Sequence, residues 1–199
     1  MRIACVTIAK PVTPLAREIL EFWFGAPPHA TRGEWFRKDP AFDAAIRERF
    51  RSAVEAALAG AFDEWRAEPR SALARVLLLD QFTRNIFRDT PRAFAGDALA
   101  LATATGAVDA GLDRLLDPWE RWFLYLPFEH AEDLASQERS IALYTRLRDD
   151  TGEAAPLEWA QKHAAVVRRF GRYPHRNAIL GRASTPEEIA FLQAPGSRF

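Results

Sequence analysis

The chain has 199 residues, 48% of them hydrophobic and 27% charged, and its 27 Lys and Arg are balanced by 27 Asp and Glu. That length supports one core burying roughly 70% of the surface the unfolded chain exposes, and the composition argues against a disordered or membrane-spanning chain. With no net charge there is no global field to attract nucleic acid or an anionic membrane, so neither is an expected partner.

The one cysteine, Cys5, excludes an internal disulfide and a cysteine-rich zinc site and suits a reducing compartment, so the expected location is the cytoplasm. The short apolar run from Ile3 to Ala9 is interrupted by Lys10-Pro11 before a signal-peptide core is built. Residues 1–12 are expected to form a poorly ordered tail, and residues 13–199 a single domain.

Thr13-Pro14, then Leu15, Ile19, Phe22 and Trp23, closed by Gly25, predict a first amphipathic helix with proline at its first position and glycine past its end. Asp39-Pro40 opens a second, with Phe42, Ile46, Phe50, Val54 and Leu58 at fourfold spacing before Gly60. From Pro69, the run Leu73, Val76, Leu77, Leu79, Phe82, Ile86 and Phe87 is apolar around most of its circumference, as in the most buried helix of a fold. An alanine-rich helix follows from about Ala95 to Ala110. Asp117-Pro118 starts the next, which Pro127 is expected to end or kink. Further helices are predicted over about Glu132–Asp150, with Leu134, Ile141, Tyr144 and Leu147 inward, and over Pro156–Phe170. Thr185-Pro186-Glu187-Glu188 is a capping box that opens the last. No strand alternation competes with this pattern. The fold class is all-α, with short connections favouring antiparallel helical hairpins or an irregular bundle.

Polar residues inside apolar stretches mark where chemistry is to be sought. Asp80, Arg84, Asn85 and Arg88 recur at helical spacing within the most apolar helix. They read either as an Asp80–Arg84 ion pair or as guanidinium forks facing a cavity for a carboxylate or phosphate. In Phe128-Glu129-His130-Ala131-Glu132-Asp133, a helix beginning near Phe128 would put Glu129, His130 and Asp133 on neighbouring faces, as orienting acids and a general base. The spacing is neither that of zinc proteases nor that of di-iron bundles, so no metal is expected, and no cofactor. His163, on an apolar helix face with Trp159 and Val167, reads as a hydrogen-bonded core histidine. His175-Arg176-Asn177 follows a glycine stop, and its Arg-Asn pair echoes Arg84-Asn85. Were the two pairs to meet, two guanidiniums and two amides would face one anion. Nucleotide, dinucleotide and serine-hydrolase motifs are absent from the sequence.

Four phrases carry a family likeness: Leu20-Glu21-Phe22-Trp23-Phe24-Gly25, Leu79 to Asn85, Tyr125 to Leu134, and Phe170 to Asn177. Together they resemble the mainly bacterial domain of unknown function 924. The resemblance implies a tetratricopeptide-repeat-like helical fold and supplies no reaction. Thr83 stands where the family's phrase usually has proline, which predicts a less kinked helix. Three functions follow from the residues. The first is a helical-repeat-like binding protein whose groove, lined by Asp80, Arg84, Asn85, Arg88, His130, Asp133, His175, Arg176 and Asn177, takes a peptide, a protein segment or a small anion. The second is an enzyme using His130 or His175 as general base with Glu129 and Asp133 beside it. The third is a set of purely structural ion-pair networks.

Overall fold

A computed structural model describes residues 11–197. Cys5 and the tail up to Lys10 lie outside them, while Val12 already packs against the core. The helices are α1 (Pro14–Phe24), α2 (Pro40–Leu58), α3 (Pro69–Val76), α4 (Thr83–Ile86), α5 (Asp97–Asp109), α6 (Pro118–His130), α7 (Leu134–Thr151), α8 (Ala155–Phe170) and α9 (Pro186–Leu192). Among the described residues there is no strand, and no helix is long and apolar enough to cross a membrane.

Helix starts are set by local chemistry. Thr13, Asp39, Asp117 and Thr185 each accept backbone N–H bonds from the first turn ahead of a proline at the first helical position, and Asp117–Glu120 and Thr185–Glu188 form complete capping boxes. Gly152 and Gly171 end α7 and α8 in the left-handed conformation.

The apolar run from Pro69 is the centre of the molecule, with Ala72, Leu73, Ala74, Val76, Leu77, Leu78, Leu79 and Phe82 inaccessible to solvent. α1, α2, α5 and α6 pack around it. Each leucine so buried contributes about 1.5–3 kcal/mol. This helix departs from ordinary winding: between α3 and α4 lies a π-helical turn, Leu77–Phe82. Thr83 in place of proline therefore does not give a regular α-helix. The wide turn leaves carbonyls under-served, and the Thr83 hydroxyl donates to those of Leu79 at 2.8 Å and Asp80 at 3.2 Å. Gly96, just before α5, lies against this turn: a Cβ built there would stand 2.1 Å from the Leu79 carbonyl oxygen. Only glycine lets the start of α5 come so near.

Two boundaries differ from expectation. Pro127 sits inside α6 and does not end it, so Glu129 and His130 occupy the last turn of α6. Asp133 is the N-cap of α7, its carboxylate accepting from Ser136 N at 2.8 Å. The face expected to be shared by Glu129 and Asp133, with His130 beside Asp133, is thus divided between two helices. Leu134, as the first residue of α7, is exposed instead of inward, and Trp159 is likewise exposed.

Candidate functional site

Two of the polar clusters seen in the sequence meet beside the π turn. Asp80, wholly buried, is placed by that turn against the C-terminal end of α6, where Oδ1 lies 2.8 Å from His130 Nδ1 and 3.0 Å from Arg84 Nη1. Gln81 Nε2 donates to the other oxygen at 2.6 Å. Burial alone would raise the Asp80 pKa, but Arg84 and His130 outweigh it and hold this carboxylate ionised far below the usual range. An ionised acceptor at Nδ1 fixes the proton there, so Nε2 of His130 carries the lone pair. Burial, against the pull of Asp80, depresses the His130 pKa and keeps the ring neutral. Its side chain remains 16% exposed.

Arg84 also reaches α5. Its Nη1 is 2.9 Å from Asp97 Oδ1 and its Nη2 donates to Asp97 Oδ2 at 3.1 Å. The same Oδ2 is approached at 3.4 Å by Nη1 of Arg176, from the short helical turn Pro174–Arg176. Asp97 therefore serves two guanidiniums, and Arg176 has the weaker share. Arg176 is sandwiched between the rings of Phe94 and Tyr173, 4.8 and 4.6 Å from their centroids. Its side chain is only 7% exposed, and Nε is buried without a hydrogen-bond partner among the described residues. Burial, reinforced by Arg84, lowers its pKa. A buried cation held by one long contact is an unusual economy, since buried charges are normally paired and hydrogen-bonded.

Beneath this rim lies a second carboxyl. Glu129 is buried, with Oε1 3.2 Å from His163 Nδ1 and Oε2 lacking a partner among the described residues. Burial, and next the charge of Asp80, push Glu129 up to about 8. Burial holds His163 down to about 3, and its Nδ1 donates to Trp159 O at 2.9 Å. At neutral pH both groups are thus uncharged, and their contact is a polar one between neutral partners. The core-histidine expectation for His163 holds, and it also joins the cluster. Tyr173 OH donates to the Glu129 carbonyl, and Gln137 Nε2 donates to the carbonyls of Glu129 and Ala131 at 2.7 and 2.8 Å. These bonds close the C-terminal end of α6. His175, partly buried, has its ring 5.6 Å from that of Tyr173 and tilted to it, and burial together with Arg176 holds it down to about 4.

The remaining residues expected at a groove are engaged elsewhere. Asn85 and Arg88 both donate to Asp43 of α2, Asn85 at 2.7 Å and Arg88 at 2.9 and 2.8 Å. Asn177 donates to Ser184 and Glu188 at 3.1 and 3.2 Å. Of the two Arg-Asn pairs, the guanidiniums converge on Asp97 and the amides do not. Sequence reasoning missed Asp97 and Phe94, which lie outside the phrases singled out, while Tyr173 lies inside the phrase Phe170 to Asn177 but was given no role. It also missed His29, Asp117 and Glu120, the metal-capable trio found among the described residues. Those two carboxylates form the capping box of α6, Asp117 Oδ2 also lies 2.5 Å from His29 Nδ1, and Arg70 donates to Glu120 at 3.0 Å. A cleft lined by Trp119, Trp122, Leu147 and Pro156 also lies away from the cluster.

Comparison with known proteins yields no reaction. No curated protein matches the chain. It is similar to a solved structure, that of the protein of unknown function ATU0120 from Agrobacterium tumefaciens, with 44% sequence identity and a TM-score of 0.82 over 90% of this chain and 97% of that one. A family model described as bacterial protein of unknown function (DUF924) matches residues 19–196. Together with the four phrases and the helical architecture around them, that match shows that the chain belongs to the DUF924 family.

Proposed function

We propose that this protein binds a small anionic ligand, a carboxylate, between Arg84 and Arg176, with His130 and His175 at the rim. The observation that carries this reading is the guanidinium of Arg176: nine-tenths buried, stacked between two aromatic faces, and satisfied by one 3.4 Å contact with an aspartate that already serves Arg84. A carboxylate would complete its fork with charge-assisted bonds. The scaffold suits a binding role. Consecutive α6, α7 and α8 are joined by short links and pack on one another, which supports a hairpin arrangement similar to that of tetratricopeptide-repeat proteins. The even charge and lone cysteine support a cytoplasmic setting.

Titration of the protein with a panel of short mono- and dicarboxylates by calorimetry tests the reading. The expected result is saturable binding that raises thermal stability and is lost in Arg176→Gln, with Arg176→Lys unable to restore it. Binding unaffected by Arg176→Gln, or none across the panel, refutes it.

The Asp80–His130 pair favours a second reading, in which the lone pair at Nε2 acts as general base on the bound anion. Incubating each bound carboxylate with the protein in deuterated water, followed by NMR, should then show exchange or conversion that His130→Gln abolishes without abolishing binding.

A further inference from the structure

The same rim specifies more than a negative charge. Nδ1 of His130 is committed to Asp80 at 2.8 Å, and Nε2 has no hydrogen-bond partner among the described residues. A neutral imidazole in that tautomer presents Nε2 as an acceptor only. Arg84 ties this acceptor to the anion position, since its Nη1 lies 3.0 Å from Asp80 Oδ1 and 2.9 Å from Asp97 Oδ1. His130, Asp80, Arg84, Asp97 and Arg176 therefore follow one another along a continuous chain of contacts.

The ligand's own charge is limited by what surrounds it. Asp80 and Asp97 border the position, and the nearby Glu132 is neutralised by Arg182 at 2.6 and 3.0 Å. A single negative charge on the ligand matches the partly served Arg176, while a dianion would meet the carboxylates of Asp80 and Asp97. An ammonium opposite His130 would face Arg84 and Arg176. A donor without charge is what the acceptor requires.

We infer that the ligand is a hydroxy-carboxylate, its carboxylate on Arg176 and its hydroxyl donating to Nε2 of His130. This inference rests on the anion-site reading of Arg176. A site that accepts from a hydroxyl discriminates against the analogue lacking it, because Nε2, open to solvent in the free protein, is covered by the bound analogue and left without a donor.

The test compares lactate and 3-hydroxypropionate with propionate by isothermal titration calorimetry on the full chain. At least one hydroxy acid should bind about tenfold or more tightly than propionate, and in His130→Leu that advantage should vanish while propionate affinity persists. His130→Gln, which offers an amide oxygen, should keep part of the preference. If propionate and both hydroxy acids bind wild type with equal affinity, the hydroxyl assignment is overturned and the anion site stands. If none of the three binds, the Arg176 reading fails, and this inference fails with it. Should His130→Leu fail to fold, the wild-type comparison with His130→Gln decides the question alone.

Discussion

Replacing Glu129 with glutamine should make the protein more stable at neutral pH and nearly remove one component of its pH dependence. The carboxyl is buried with Oε2 unpartnered among the described residues, and its pKa is raised from 4.5 to about 8. The folded chain keeps the proton through neutrality, whereas the unfolded chain releases it near 4.5. A raised pKa of this kind stabilises fully below the unfolded value and progressively less as pH rises through the folded one. The loss is about 1.4 kcal/mol per pH unit, hence about 3 kcal/mol between pH 4.5 and 7. Glutamine is close to isosteric and does not titrate. The lowered pKa values of His130, His163 and His175 are present in both proteins and largely cancel in the difference. Urea unfolding followed by tryptophan fluorescence at pH 5, 6, 7 and 8 should show the stability of Glu129→Gln relative to wild type climbing steadily with pH. Parallel curves for the two proteins would mean that Glu129 is ionised in the fold, and would refute the reasoning. Adding Asp80→Asn should reduce the effect, because Asp80 supplies the second contribution to the shift.

Three other substitutions separate scaffold from site. Asp43→Ala strands Asn85 and Arg88, and should cost about 2 kcal/mol in chemical denaturation while leaving carboxylate titrations unchanged. Gly96→Ala drives a methyl into the Leu79 carbonyl; a loss of about 1–3 kcal/mol is expected, together with weaker carboxylate binding, since Asp97 is the next residue. Gln137→Leu removes the donor that closes the end of α6 and should cost about 1–3 kcal/mol, read as a lower melting temperature.

The helices were largely legible because their ends are written in local chemistry. Thr13-Pro14, Asp39-Pro40, Asp117-Pro118 and Thr185-Pro186 each state a start that depends on no distant residue. Asp80 and Arg84 were legible as an anomaly, polar groups in the most apolar stretch. Partners distant in the chain were not: Asp43 lies 45 residues from Arg88 and Asp97 lies 79 from Arg176, and nothing in the spacing of either segment announces the other. The π turn was hidden because a pattern read at 3.6 residues per turn assumes the winding it is meant to detect. Pro127 misled for a related reason. Its missing N–H argues for a break, but the buried surroundings of α6 hold the helix through it.

The approach of Gly96 to Leu79 has a consequence for how this family can diversify. The gap between α5 and the π turn is set by main-chain atoms, so exchanging one core side chain for another cannot widen or narrow it. The placing of Asp97 against Arg84 is thereby uncoupled from the drift of the hydrophobic interior. Substitutions in the core can then shift the melting point while Asp97 stays set against Arg84 and within reach of Arg176.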